Sequence, residues 1–291
     1  MLRSMYSGIS GLKNFQTKLD VIGNNIANVN TYGFKKGRTV FKDLYSQTVA
    51  GASAPVGNTR GGVNPKQVGL GSQLAAIDTL HTAGSTQFTG NTLDLAIEGD
   101  GFFIVQSGAT ATDVQYTRAG NFYMDNEGTL VDGDGRFLQG LKNTETTAQV
   151  DGKDVKTTVL KAEATANYGS IKIPNDATNM SIGQDGTVNY VQDGKLQVAG
   201  RLNIATFNNP GGLEKVGGNL YQQSANSGNA NTGKPLDAGR GTIKSGSLEM
   251  SNVDLSEEFT EMIVAQRGFQ ANTRIITTSD EILQELVNLK R

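Results

Sequence analysis

The sequence predicts an α+β protein with long N- and C-terminal helices paired as a coiled coil, a mainly antiparallel β body, and a long extended connector. Three observations predict it. Apolar residues step by three or four at both ends of the 291-residue chain, the period of a helical seam. The middle changes to short β-type runs separated by Asp-Gly and Asn-x-Gly pairs. The 37 glycines, with abundant Asn, Thr and Asp, lie mostly in that middle, while the ends are richer in helix formers.

At the N-terminal end Leu2, Met5, Ile9, Leu12, Phe15, Leu19, Ile22, Ile26 and Val29 form one apolar stripe. The stretch GNNIANVNTYGFKK interrupts it with Asn24, Asn25, Asn28 and Asn30 in the expected last turns, and Gly33 is expected to end the helix. Domain boundaries are read as 1–32 plus 252–291 for the helices, 33–75 for the connector, and 76–251 for the body. Within the connector, residues 50–66 combine Gly, Pro and Ala with little periodicity and read as a linker or a long β-excursion.

The body is read from LDLAIEG, GFFIVQ, VQYTRAGNFYMD, GTLVDG, IKIP, GTVNYV and RLNIATF. Asp100-Gly101, Asp132-Gly133, Asp185-Gly186 and Asp193-Gly194 are expected to supply positive-φ residues for tight hairpins. Residues 141–170 are weakly patterned and read as a small insertion, and 222–241 as a polar loop. At the far end Met262, Phe269, Ile276 and Leu283 recur every seventh residue, with Ile275, Ile282 and Leu289 as a second column beside them. Asp254 is expected to cap this helix, with Glu257 at the capping-box position. Residues 1–42 carry seven Lys or Arg against Asp20, and residues 252–291 carry seven Asp or Glu against four Lys or Arg, so the two ends attract. Exposed pairs of this kind contribute only about 0 to 1 kcal/mol each.

Composition restricts function. A net charge of −2 supplies no broad basic field for nucleic acid. The lack of cysteine removes disulfides, thiol catalysis and sulfur-ligated metals. No run approaches the roughly 20 apolar residues of a membrane span, and MLRSMYSGISGLKNFQ, broken by Ser, Gly and Lys, does not read as a cleaved leader. His81, the single histidine, reads as an ordinary strand or loop side chain. Asp132 to Gly135 resembles the start of a calcium loop, but Arg136 stands at a ligand position, which favours a turn. Asp94 with Glu98, and Asp125 with Glu127, are spaced for acid–base work, yet their Gly and Asn neighbours favour turn chemistry. Lys35, Lys36 and Arg38 beside Tyr32 and Phe34 read as a solvated turn flank. The expectation is no catalytic residue, no cofactor, no metal, and no enzyme.

The run LDVIGNNIANVNTYGFKKGRTVFKDL and the end SLEMSNVDLSEEFTEMIVAQRGFQANTRIITTSDEILQELVNL resemble the terminal motifs of bacterial flagellar rod and hook proteins. NPKQVGLGSQLAAIDT, TGNTLDLAIEGDGFFIVQ, YTRAGNFYMDNEGTLV and IGQDGTV resemble the body of the same family, in order. The resemblance implies a subunit of a helical tube, with the terminal helices in an inner layer around a channel. It implies an assembly interface of Leu2, Met5, Ile9, Leu12, Phe15, Leu19, Ile22, Asn24, Asn25, Ile26, Asn28, Val29, Met262, Phe269, Ile276, Ile282, Leu283, Leu286 and Leu289. It also implies export through the flagellar type III apparatus to an extracellular flagellum without a cleaved signal. The implied partners are further copies of the chain, rod and hook-filament junction proteins, and the hook cap, with no nucleic acid and no membrane insertion. The C-terminal motif and NPKQVGLGSQLAAIDT look most like the hook protein, the flexible joint. Residues 46–66 lengthen the connector as in the distal rod protein, which is the alternative. A surface adhesin or polysaccharide hydrolase on the β body, and a coiled-coil scaffold, remain as readings from other classes.

Overall fold

The computed structural model describes residues 2–55, 61–108, 113–142, 144–150, 153–159, 168–192 and 194–289. The chain forms two units, and it crosses between them after residues 28, 35, 80 and 252.

The first unit holds 1–28, 36–80 and 253–291. Its helices are α1 (Leu2–Ala27) and α2 (Leu255–Asn288). Asp254 caps α2 as expected, its carboxylate accepting from the backbone N–H of Ser256 and of Glu257. Glu257 does not close a capping box; its carboxylate takes the Lys36 ammonium at 2.7 Å. The helices pack antiparallel, since Gly8 lies against Ile276, Gly11 against Asn272 and Phe15 against Gly268. Close approach is the reason for glycine at 268: a Cβ there would stand 2.5 Å from Cζ of Phe15. The other side of α1 meets a two-stranded ribbon, Gly37–Asp43 paired with Ser72–Thr79. There Asn14 donates to the Ser72 hydroxyl at 2.8 Å. The connector is therefore β structure. Ser46–Ala50 pairs with Lys66–Gly69, and the bridge Ser53 to Val63 extends the excursion toward residues 56–60, which lie outside the described set.

The second unit holds 29–35 and 81–252. Its main sheet runs, neighbour to neighbour and antiparallel throughout, through Thr178–Ile182, Thr187–Gln192, Lys195–Leu202, Phe137–Lys142, Phe102–Gln106, Val114–Thr117, Leu220–Gln222 and Glu214–Gly217. The uninterrupted apolar run FFIV is explained by burial on both faces. Phe103 and Val105 enter one core with Leu95, Leu138, Leu202 and Ile204, while Phe102 and Ile104 enter a second with Tyr116, Phe207 and Tyr221. Chain ends close the unit, because Thr242–Ser245 pairs with Leu95–Glu98 and Ser247–Glu249 pairs with Thr86–Phe88.

The turns depart from expectation in one place. Gly101, Gly186 and Gly194 have positive φ, but in DGDG the positive φ belongs to Gly135 and not to Gly133. Asp132 accepts from the N–H groups of Asp134 and Arg136 and so builds that turn itself. The polar loop 222–241 contains a strand, Asn231–Gly233, paired with Ile204–Thr206. The insertion contains a hairpin, Thr144–Val150 with Lys153–Val159, while 143, 151–152 and 160–167 fall outside the described residues.

Candidate assembly surfaces and a buried charge cluster

The interface expected from the two stripes separates into two parts. Ile22 and Asn25 are buried, and Met5, Leu12, Phe15, Leu19 and Ile26 are half-buried along α1. Ile9 and Asn24 are exposed, Val29 is half-buried in the second unit, and the Leu2 side chain lies outside the described residues. On α2, Met262, Ile276 and Leu283 are half-buried, and Ile276 of that column lies against Gly8 of α1. The second column is open: Ile275, Ile282 and Leu289 are 45%, 44% and 82% exposed, and Leu286 and, in the first column, Phe269 are exposed too. The two columns occupy adjacent faces of the helix, about 100° apart around its axis.

The asparagines divide in the same way. Asn28 donates to the Asn24 carbonyl at 2.9 Å and to its side-chain oxygen at 3.1 Å, which finishes the helix locally. Asn25 is 1% exposed and does more. Its Oδ1 accepts the Gly37 N–H at 2.9 Å, and its Nδ2 donates to the Gly37 carbonyl at 2.9 Å and to the Glu258 carboxylate at 3.2 Å. One amide thus joins α1, the first strand and α2. Around it Lys18 pairs with Glu261 and Lys36 with Glu257, so the opposite charges of the chain ends do meet. These residues line an open cavity of about 370 Å³.

Lys35 is a correction to the solvated flank expected of KKGR. It is fully buried in the second unit, and its ammonium donates to Glu249 Oε1 at 2.6 Å and to the Thr82 carbonyl at 2.7 Å. Arg118 donates to Glu249 Oε2 at 3.2 Å and to the Gly99 carbonyl at 2.9 Å. Glu249 Oε1 also accepts the Gly84 N–H at 3.0 Å. Burial pushes the Lys35 pKa down, against the pull of Glu249 and with added repulsion from Arg118. Gly33 does not cap α1, which ends at Ala27; with φ of 68° it lies flat on the Arg118 and Ala119 backbone, where a Cβ would come within 2.5 Å of the Ala119 nitrogen. The signal for this cluster was the single carboxylate in the apolar strand SLEM, a charge that a buried strand carries only when it is paired.

His81 sits edge-on to Phe102 and Tyr221, with ring centroids 5.6 and 5.4 Å away. Desolvation, then the cations Lys35, Arg118 and Lys215, hold its pKa down at about 4, so the imidazole is neutral. Asp94 accepts from Thr89 at 2.6 Å, and Glu98 pairs with Lys244, which gives both carboxylates turn and cross-strand roles. Arg136 takes up Asp132 and Asp134.

Comparison with known proteins adds the following. Three family models match: Flagella basal body rod protein over residues 5–35, Flagellar hook protein FlgE/F/G D1 domain over 96–190, and Flagellar basal body rod FlgEFG protein C-terminal over 244–289. The chain is 59% identical to the flagellar basal-body rod protein FlgG of Bacillus subtilis over 293 positions, covering 100% of both. It is 34% identical to the flagellar hook protein FlgE of Borreliella burgdorferi over 445 positions, and 35% identical to the rod protein FlgG of the same organism over 296 positions, with 100% of both chains covered in each case.

Proposed function

The chain belongs to the family of flagellar rod and hook proteins, structural components of the flagellum and not enzymes, and we propose that within it this protein is the distal rod subunit. The observation that carries the proposal is identity of 59% to a rod protein over the full length of both chains. The hook reading favoured by the C-terminal motif gives way to it. Alignment with the Borreliella burgdorferi hook protein needs 445 positions for the 291 residues present here, so it opens long gaps in this chain.

In the proposed rod, copies of the chain associate through the helical unit. Met262, Ile276 and Leu283 serve the pairing with α1, and the open column of Ile275, Ile282, Leu286 and Leu289 serves neighbouring copies. Fully burying such a side chain is worth about 1.5 to 3 kcal/mol; these four are between 44% and 82% exposed, so the column contributes to association of adjacent subunits without supplying all of it. Rod and hook proteins would lie above and below, and the flagellar export apparatus would deliver the chain. Electron microscopy of the assembled protein tests the assignment. A straight, rigid tube is expected; a curved one means hook. Ile282→Glu should abolish the tube, and wild-type tubes from that variant would remove the open column from the interface.

A further inference from the structure

We propose that Glu249 is a closing counter-ion, which keeps the β body unlocked until almost the whole chain is present. The premise is chain order. Lys35 and Arg118 precede Glu249 by 214 and 131 residues, and all three are at most 3% exposed. Glu249 is the one carboxylate in contact with either cation among the described residues. A third cation, the exposed Lys215, stands over the Phe34 ring at 5.1 Å and donates to the Lys35 carbonyl. A chain that appears N-terminus first therefore holds two cations whose burial is strongly unfavourable before residue 249 arrives.

The backbone pairing closes in the same place. The strand Ser247–Glu249 lies against Thr86–Phe88, the Glu249 carbonyl accepts the Gly33 N–H at 2.8 Å, and its carboxylate accepts the Gly84 N–H. Lys35 and Asn252 both donate to the Thr82 carbonyl. Three chain segments, 33–35, 82–84 and 249–252, are thus tied by one late residue and its neighbours. Hairpins such as Thr187–Gln192 with Lys195–Leu202 need none of these groups and can form early. The use of such a lock, holding an exported subunit open during passage, rests on the rod reading; the lock itself does not.

Refolding of the full-length chain from urea, followed by pulsed hydrogen exchange and mass spectrometry, tests it without any polymer. Segments 29–35, 82–84 and 114–119 should gain protection in the same phase as 242–252. Glu249→Gln should slow that phase at least about tenfold, while the 187–202 hairpin keeps its wild-type rate. If that variant does not refold, the neutral triple variant Lys35→Met, Arg118→Met, Glu249→Leu supplies the second comparison: segment 114–119 should then be protected before 242–252, while 29–35, whose Gly33 N–H bonds the carbonyl of residue 249, stays in phase with it. Protection of 29–35 ahead of 242–252 in the wild type, or wild-type kinetics in Glu249→Gln, would overturn the proposal and leave the rod assignment standing.

Discussion

Asn25→Asp changes one NH2 group to an oxygen and should disable the helical unit in a pH-dependent way. In the wild type the amide donates to the Gly37 carbonyl and to the Glu258 carboxylate, and the Gly37 N–H returns to Oδ1. The substitution keeps the last bond and turns both donated bonds into repulsions. Two carboxylates 3.2 Å apart repel by about 5 kcal/mol at an effective dielectric near 20. The new carboxyl has a cheaper route, taking up a proton, which from an ordinary pKa near 3.9 costs about 4 kcal/mol at pH 7. Loss of a donated bond adds roughly 1 kcal/mol. The expected deficit is therefore about 5 kcal/mol at pH 7, or more than about a thousandfold in the critical concentration for polymerisation.

The sign with pH follows from the raised folded-state pKa of the new pair. Stability of the variant is retained below the unfolded pKa near 3.9 and lost as pH rises, at about 1.4 kcal/mol per pH unit. The ratio of variant to wild-type critical concentration, read by sedimentation of full-length protein, should fall from more than about a thousandfold at pH 7 to about a hundredfold or less at pH 5. The proposed assembly uses α1 and α2 in the paired state, so the expectation is the same whether they pair before or during it. A ratio unchanged between pH 7 and pH 5, or below about fivefold at pH 7, would show that Asn25 does not bind Glu258 in the assembled protein.

Two further outcomes are expected. Deleting residues 2–28 should abolish polymerisation while the β body still melts cooperatively, whereas deleting 2–35 should also lower the body's melting temperature sharply, because it strips Lys35 from Glu249; equal melting of the two deletions would remove Lys35 from the core. His81, held at about 4 against 6.5 in the unfolded chain, contributes stability that is full above pH 6.5 and is lost as pH falls toward 4, with a ceiling of about 3 kcal/mol and an expected loss of about 1 to 2 kcal/mol at its half-buried site. Urea midpoints at pH 7 and 4.5 should converge in His81→Phe, and an imidazole proton signal titrating near 6.5 would contradict the assignment.

The parts legible in the sequence were those written in local periodicity. The three- and four-residue steps located α1 and α2, the carboxylate of Asp254 marked the start of α2, and runs such as GFFIVQ marked central strands. The parts that escaped are contacts across long sequence separations. Asn25 reads as a polar helix end because its partners, Gly37 and Glu258, are a strand start and a helix 233 residues away. Periodicity likewise found both apolar columns on α2 but could not assign one to α1 and leave the other open, since both carry the same residue types. Lys35 was hidden by its neighbours: Lys36 and Arg38 are partly or fully exposed, and only Lys35 turns inward behind Gly33 and Phe34.

An ionic core is a poor way to add stability. Replacing such a cluster by apolar side chains of similar volume is often neutral or favourable, whereas removing one partner costs about 3 to 5 kcal/mol. The asymmetry is what charge contributes at Lys35, Arg118 and Glu249. Apolar residues at these three positions would attract one another in any order and at any stage, so residues 29–35 would collapse onto whatever strand was available. Charged residues make every incomplete arrangement unfavourable and only the complete one acceptable. The same logic applies to Asn25, where leucine would match the stripe but would leave the Gly37 N–H and carbonyl and the buried Glu258 carboxylate without their partner. In both places the sequence sets a polar group in a buried position, Asn25 within the first unit and Lys35, Arg118 and Glu249 within the second. A subunit of the proposed polymer gains more from penalising wrong arrangements within each unit than from a few kcal/mol of further burial.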